Sequence, residues 1–226
     1  MWKKLLKYLC FSIFLALIAC VPRAKVMPPA VYEEKDLTLT EVIEKVSSDI
    51  ELLKAITDIK IEKNNEPYTF INASVLIKKP DWIHMRIYQL GMLVRDFVIR
   101  DNELYVLSGK NDQNLKPLGN ELHNAIFWWD EYVQGDMHRE ENIYVIKTAD
   151  REIHIDRSTL LPVKQMISTL DKRISVFYED PVNSEGFWYP GLLKIMMNDF
   201  TFTVKLKKLI KNPPLGEFDF QVPPGS

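Results

Sequence analysis

The chain has 226 residues, 46% of them apolar and 27% charged, with only 8 glycines, which suits one sizeable folded core and excludes a disordered or fibrous chain. Its formal charge is −2, and without residues 1–19, which carry three lysines and no acid, 26 basic residues face 31 acidic ones, a net of −5. That acidic balance, with no basic block, argues against nucleic acid as a partner.

The N-terminus carries the most specific pattern. "MWKKLLKY" is a basic segment, and "LCFSIFLALIA" after it is apolar but too short for a membrane-spanning helix. Leu17-Ile18-Ala19-Cys20 resembles the bacterial lipobox. The resemblance implies that 1–19 is a lipoprotein signal peptide, cleaved before Cys20, with acyl chains placed on the Cys20 sulfur and its new amino group. Several acyl chains make a durable membrane anchor. Val21 follows, not the Asp of the enterobacterial inner-membrane rule, which points to the outer membrane, facing the periplasm. Cys10 leaves with the signal and Cys20 carries lipid, so no thiol remains for a disulfide, a metal or a nucleophile. Residues 20–36 then read as the acylated cysteine and an extended linker, spaced by Pro22, Pro28 and Pro29.

A domain over 37–226 follows. Thr38 and Glu41 have capping-box spacing, and Leu39, Val42, Ile43, Val46, Ile50 and Leu53 recur at helical spacing, predicting a helix over about 38–57. The period then switches to two. Strands are expected at 59–63, 68–79, 81–89, 92–100 and 103–108, with a tight turn at Asp101-Asn102. Residues 119–134 lose the alternation and read as a second helix. Further strands are expected at 143–149, 151–157, 162–169, 173–179, 189–197, 200–207 and 218–222, with turns at Asp150-Arg151, Asp171-Lys172 and Asn198-Asp199. The sum is an α+β fold, mostly antiparallel β. About ten or eleven strands are too many for a flat open sheet, so it should curl into a half-open barrel with the helices as a lid.

Catalytic chemistry is hard to find. Histidines 84, 123, 138 and 154 have no zinc spacing, and the sequence holds no nucleophile elbow, phosphate loop or calcium loop. His154 and Asp156 share one strand face and are the best acid–base candidates. Asp136, Glu140 and Glu141, near His138 and Arg139, read as a solvated loop. No catalytic residue, metal site or cofactor is predicted. Apolar side chains are in excess instead: Ile126, Phe127, Trp128, Trp129 and Tyr132 in the second helix, and Phe187, Trp188, Tyr189, Met196, Met197, Phe200 and Phe202 in the late strands. Inside a curled sheet such a lining suits an acyl chain, and methionine adapts to variable guests.

"SVLIKKPDWIHMRI" (74–87), "YQLGMLVRDFVIRDNELYVL" (88–107) with "IFWWDEYVQG" (126–135), and the tail "KLIKNPPLGEFDFQVPPGS" (208–226) together resemble the LolA/LolB lipoprotein-carrier superfamily, and LolB-like outer-membrane lipoproteins in particular. The resemblance implies a hydrophobic cavity beneath the lid and the binding of lipid or lipoprotein acyl chains. The expected lining is Ile83, Met85, Ile87, Ile126, Trp129, Ile195 and Met197, with the Trp82/His84/Arg86/Tyr88 face outward. Lys79 stands where the carrier has a lid-holding Arg, and lacks its bidentate fork. Leu90, Met92 and Leu93 form a candidate membrane-contact turn. The resemblance also implies protein partners, a periplasmic carrier or an envelope complex. Two alternatives stay open: a lipid-tethered interaction subunit without a ligand cavity, and an envelope enzyme acting on lipid or glycan.

Overall fold

The computed structural model describes Pro28 and residues 36–47, 49–110, 115–168, 173–216 and 219–222. The signal segment, Cys20, the Asp171-Lys172 turn and the closing Pro-Pro-Gly lie outside the described residues. Helix α1 is Leu39–Ser47, and strands follow as β1 (Leu52–Lys63), β2 (Glu66–Lys78), β3 (Trp82–Gln89), β4 (Met92–Arg100) and β5 (Glu103–Ser108). The chain then leaves the sheet as helix α2 (Leu115–Ile126) and a 3-10 turn over Trp128–Tyr132. It returns as β6 (Asp136–Glu140), β7 (Ile143–Lys147), β8 (Arg151–Asp156), β9 (Pro162–Ser168), β10 (Arg173–Ser184), β11 (Phe187–Met197) and β12 (Phe200–Lys211).

All twelve strands form one sheet in the order β5-β4-β3-β2-β1-β12-β11-β10-β9-β8-β7-β6, every pairing antiparallel. Hairpin-connected neighbours account for almost all of it, and the β1–β12 ladder joins the two ends of the domain. The sheet is curled and not closed. Its free edges are β5 and β6, and α2 with the 3-10 turn is the segment that connects them. The fold is therefore a half-open antiparallel barrel with a helical lid.

Twelve strands form where about ten or eleven were expected, and β6 is the one that no expected segment covered. Its sequence "DMHRE" has no apolar alternation because it is an edge strand with largely exposed side chains. The expected solvated acidic loop is thus a charged edge, the kind that discourages another chain from pairing there.

The first helix is shorter than its spacing suggests. The capping box forms: Thr38 N donates to Glu41 Oε2 at 2.7 Å and Glu41 N to Thr38 Oγ1 at 3.3 Å. The helix nevertheless ends at Ser47, Asp49 takes a φ of 59°, and the chain enters β1 at Leu52. Leu52 and Leu53 bury on opposite faces of the sheet, as consecutive strand residues do. Ile50 and Leu53 fit a helical period only by coincidence. Asn212 fixes the switch, its Oδ1 accepting from the N–H groups of both Glu51 and Leu52 at 3.0 Å.

The sheet has two unequal apolar faces. The concave face carries the main core, including Ile83, Met85 and Ile87. The convex face holds a small second cluster, Leu52, Leu76, Val98 and Phe220, with Trp82 and Tyr105 packed against it. Residues 219–222 are not the expected strand. Phe220 sits in a turn with φ 61° and lies 5.7 Å, centroid to centroid, from Trp82. The aromatic content of the β3 convex face therefore serves to seat the C-terminal segment.

Candidate functional site

The lid packs closely on the sheet at Gly119 of α2. A Cβ there would lie 2.4 Å from Ile99 Cδ1 and 3.4 Å from Ile83 Cδ1, so any larger residue would have to displace the Ile99 side chain for the helix backbone to settle on β3 and β4. Beneath it Ile83, Met85, Phe97 and Ile99 are at most 1% exposed, as is Phe127 of the lid. That half of the lumen is filled by the protein's own side chains.

The other half is not filled. Between α1, the 3-10 turn, the β8–β9 turn and strands β10–β12 lies a partly open cavity of about 390 Å³. Trp128, Trp129, Tyr178, Tyr189, Leu193, Leu206 and Leu209 are among its lining residues. Lys45, Val46, Thr159 and Trp188 also line it and are exposed or half-buried, which places them toward its mouth. An apolar concavity of this size is in the range of small-ligand sites. Its aromatic wall is braced edge to face: Trp128–Trp129 centroids are 5.7 Å apart at 76°, and Phe127–Trp129 centroids 5.5 Å apart at 70°. Aromatic pairs prefer this geometry, which holds the wall in shape without a guest.

One buried polar network ties lid to sheet. Gln165 of β9 is fully buried. Its Nε2 donates to the Tyr132 hydroxyl at 3.3 Å. The Tyr178 hydroxyl lies 2.9 Å from Gln165 Oε1 and 3.0 Å from the Ala125 carbonyl, so its single proton serves two acceptors in turn. Burial pushes both phenols well above the ordinary tyrosine range. They stay neutral and act as hydrogen-bonding groups, not as acids. His123 in α2 is 7% exposed and stacked on Phe127 at 5.1 Å, and burial lowers its pKa, outweighing the Asn124 hydrogen bond and nearby carboxylates.

The expected residues fall in several places. Ile126 and Trp129 line the cavity. Ile83, Met85, Ile87 and Ile195 lie buried in the concave core, and Met197 is half-buried against it. Lys79 reaches the lid: its Nζ is 3.4 Å from Asp130 Oδ1 and 5.9 Å from the centre of the Phe127 ring. Leu90, Met92 and Leu93 are 92%, 64% and 44% exposed, so the β3–β4 turn projects apolar groups into solvent. Cys20 lies outside the described residues. His154 and Asp156 do not converge. His154 Nε2 is 2.6 Å from Glu152 Oε1, while Asp156 Oδ1 accepts from Ser158 and Thr159 in the β8–β9 turn. Those turn bonds lower the Asp156 pKa against the opposing, largest effect of its burial. Among the described residues no group of three His, Cys, Asp or Glu is placed to hold a metal.

Sequence reasoning missed Leu206, Leu209 and the Leu160-Leu161-Pro162 corner. The alternation Phe202, Val204, Leu206 was legible, but a register shift in the β1–β12 ladder between Ile56 and Thr57 moves the next inward residue to Leu209. A bulge of this kind leaves no periodic trace.

No family model matches this chain, and no curated protein does. Solved structures do. A LolA superfamily protein from Nitrosomonas europaea superposes with a TM-score of 0.58 at 12% identity, over 82% of this chain and 98% of that one. A domain named for outer-membrane lipoprotein sorting, from Vibrio parahaemolyticus, gives 0.53 at 10% identity, over 80% and 94%. At such identities the likeness is one of fold alone: the chain shares the architecture of these two proteins.

Proposed function

We propose that this protein is an acylated envelope lipoprotein that binds a lipid or lipoprotein acyl chain in the cavity beneath its lid, and so takes part in lipoprotein localisation or lipid handling in the periplasm. The observation that carries the reading is the unfilled apolar cavity of about 390 Å³ in a lumen whose other half is filled by buried side chains. Interiors are normally filled to crystal-like density, so an open, aromatic-braced void in one half is a feature that needs an occupant. The cavity weighs against a tethered subunit with a filled barrel. The two solved neighbours, one named for its LolA superfamily and one for lipoprotein sorting, are in keeping with a carrier.

The rest of the reading follows from the chain order. Residues 1–19 are the signal peptide, Cys20 is acylated and 20–36 tethers the domain to the outer membrane. Lys79, against Asp130 and Phe127, holds the lid shut through one point charge, a weaker lock than a bidentate arginine would give. The β3–β4 turn is the membrane contact. Leu90 adopts φ 52° and stands 92% exposed. A bulky apolar residue in the left-handed region, wholly in water, is disfavoured on both counts, and such sites cluster where function requires them. Binding, not catalysis, is the activity proposed, with envelope lipids, lipoproteins and their carriers as partners.

Native mass spectrometry of the full chain carrying Cys20→Ser, which bears no acyl chain of its own, tests the reading on release from mild detergent. One lipid or fatty acid adduct per chain is expected. Leu209→Trp, which fills the cavity from β12, should abolish the adduct while leaving the melting temperature within a few degrees. An adduct of equal abundance in that variant would place the lipid elsewhere.

A further inference from the structure

The described part of the N-terminal segment touches the molecule beside the cavity. Pro28 lines a smaller groove of about 210 Å³ together with Asp156, Ser158, Thr159, Leu161, Pro162, Tyr178, Glu179 and Pro190. Five of these, Thr159, Leu161, Pro162, Tyr178 and Pro190, also line the large cavity, so the two spaces share a wall. The next described point is Asp36. Its carboxylate pairs with Arg139 and Arg157, and Leu37 N donates to the Tyr144 hydroxyl at 3.1 Å. Arg157 begins the β8–β9 turn, whose far end forms that shared wall. Both described points of the segment therefore lie at one turn, and that turn borders the cavity.

Cys20 stands eight residues before Pro28. Eight residues span at most about 26 Å when extended, at ~3.3 Å each. Between them lie two cations, Arg23 and Lys25, and the groove at Pro28 carries the carboxylates of Asp156 and Glu179. From this placement we infer that the cavity's resting guest is one of the protein's own acyl chains, carried on Cys20 and folded back over the β8–β9 turn. The inference rests on the acyl-binding reading and on acylation of Cys20, and it adds regulation to that site. A guest tethered by so short a segment has an effective concentration in the millimolar range. It excludes weakly bound free lipid and yields only to a guest that binds more tightly or is itself delivered at high local concentration. The remaining acyl chains on Cys20 keep the protein on the membrane. The chain is then self-capped between transfers, with no apolar void open to water.

Photocrosslinking of the full, acylated chain in its native membrane tests this. Benzoylphenylalanine is placed at the cavity mouth, Trp188→Bpa on β11 and, independently, Lys45→Bpa on α1, so that a folding defect in one leaves the other. The cells co-express a second copy that lacks the photoreactive residue and is mass-marked in its N-terminal lipopeptide by Val21→Ile. The expected product is the unmarked Cys20 lipopeptide joined through its acyl chain to the residue 188 or 45 peptide. Products carrying the marked lipopeptide would show the chain of a neighbouring copy and overturn the intramolecular claim. Adducts confined to phospholipid or to other lipoproteins would overturn it while leaving acyl binding intact. No acyl adduct at either position would sink the acyl-binding reading as well.

Discussion

At the residue scale, the seat of the lid depends on a few buried polar groups, Tyr132, Gln165, Tyr178 and His123. The Tyr178 hydroxyl is the donor near both the Ala125 carbonyl and Gln165 Oε1. Tyr178→Phe keeps the shape and leaves an acceptor unpaired, a loss of about 1–3 kcal/mol that urea unfolding should register. His123 supplies a pH dependence with a definite sign. Burial holds its pKa below the ordinary value, so at pH values just under that value the unfolded chain binds a proton the folded one does not. The full stability is present above pH about 6.5 and declines as pH falls below it. His123→Gln should flatten the difference in melting temperature between pH 7.5 and 5.5. An unchanged difference would assign it to other groups. Leu90 gives the opposite kind of prediction. Leu90→Asn, better suited to φ 52°, should leave melting unchanged or raise stability by about 0.5 kcal/mol, while weakening any membrane transfer. The Leu90 turn stood out in the sequence, but the roles of Tyr178 and His123 were not legible there. A buried glutamine or histidine looks like any other until the sheet brings Tyr132, Tyr178 or Phe127 against it.

At the element scale, local pattern and tertiary context divide the credit. The β3–β4–β5 hairpins were readable because alternation and the Asp101-Asn102 turn agree, and both residues take positive φ. The end of α1 was not, because Ile50 and Leu53 satisfy two periods and the choice falls to the ladders that β1 gains on both sides. The second helix was placed but not divided. Its α-helix ends at Ile126, and a 3-10 turn buries Trp128, Trp129 and Tyr132 together. The seat of the lid is where this matters. Gly119→Ala gains intrinsic helix propensity but drives a Cβ into Ile99 Cδ1, and should lose a net 1–2 kcal/mol or so. Adding Ile99→Val removes that methyl and should recover most of the loss. Failure of the second change to rescue the first would mean that the lid does not rest where the geometry places it.

At the scale of the whole molecule, the antiparallel curled sheet and its helical lid were legible, since twelve strands in near-sequential order leave period-two signals along most of the chain. The position of the void was not. Which half of a lumen is filled is decided by side chains from strands far apart in sequence, and here Ile83, Met85, Phe97, Ile99 and Phe127 fill one half while β9–β12 leave the other open. That asymmetry provides a direct reading of the central claim. Trp128, Trp129 and Trp188 line the cavity, whereas Trp82 lies on the convex face under Phe220. Titrating the full chain with Cys20→Ser, so that no acyl chain of its own occupies the cavity, held in amphipol, with a dibrominated fatty acid should quench most of its tryptophan emission, saturating at one acyl chain per protein and reversed by excess unbrominated acid. Quenching that rises without saturation, or that spares the cavity tryptophans, would contradict the account.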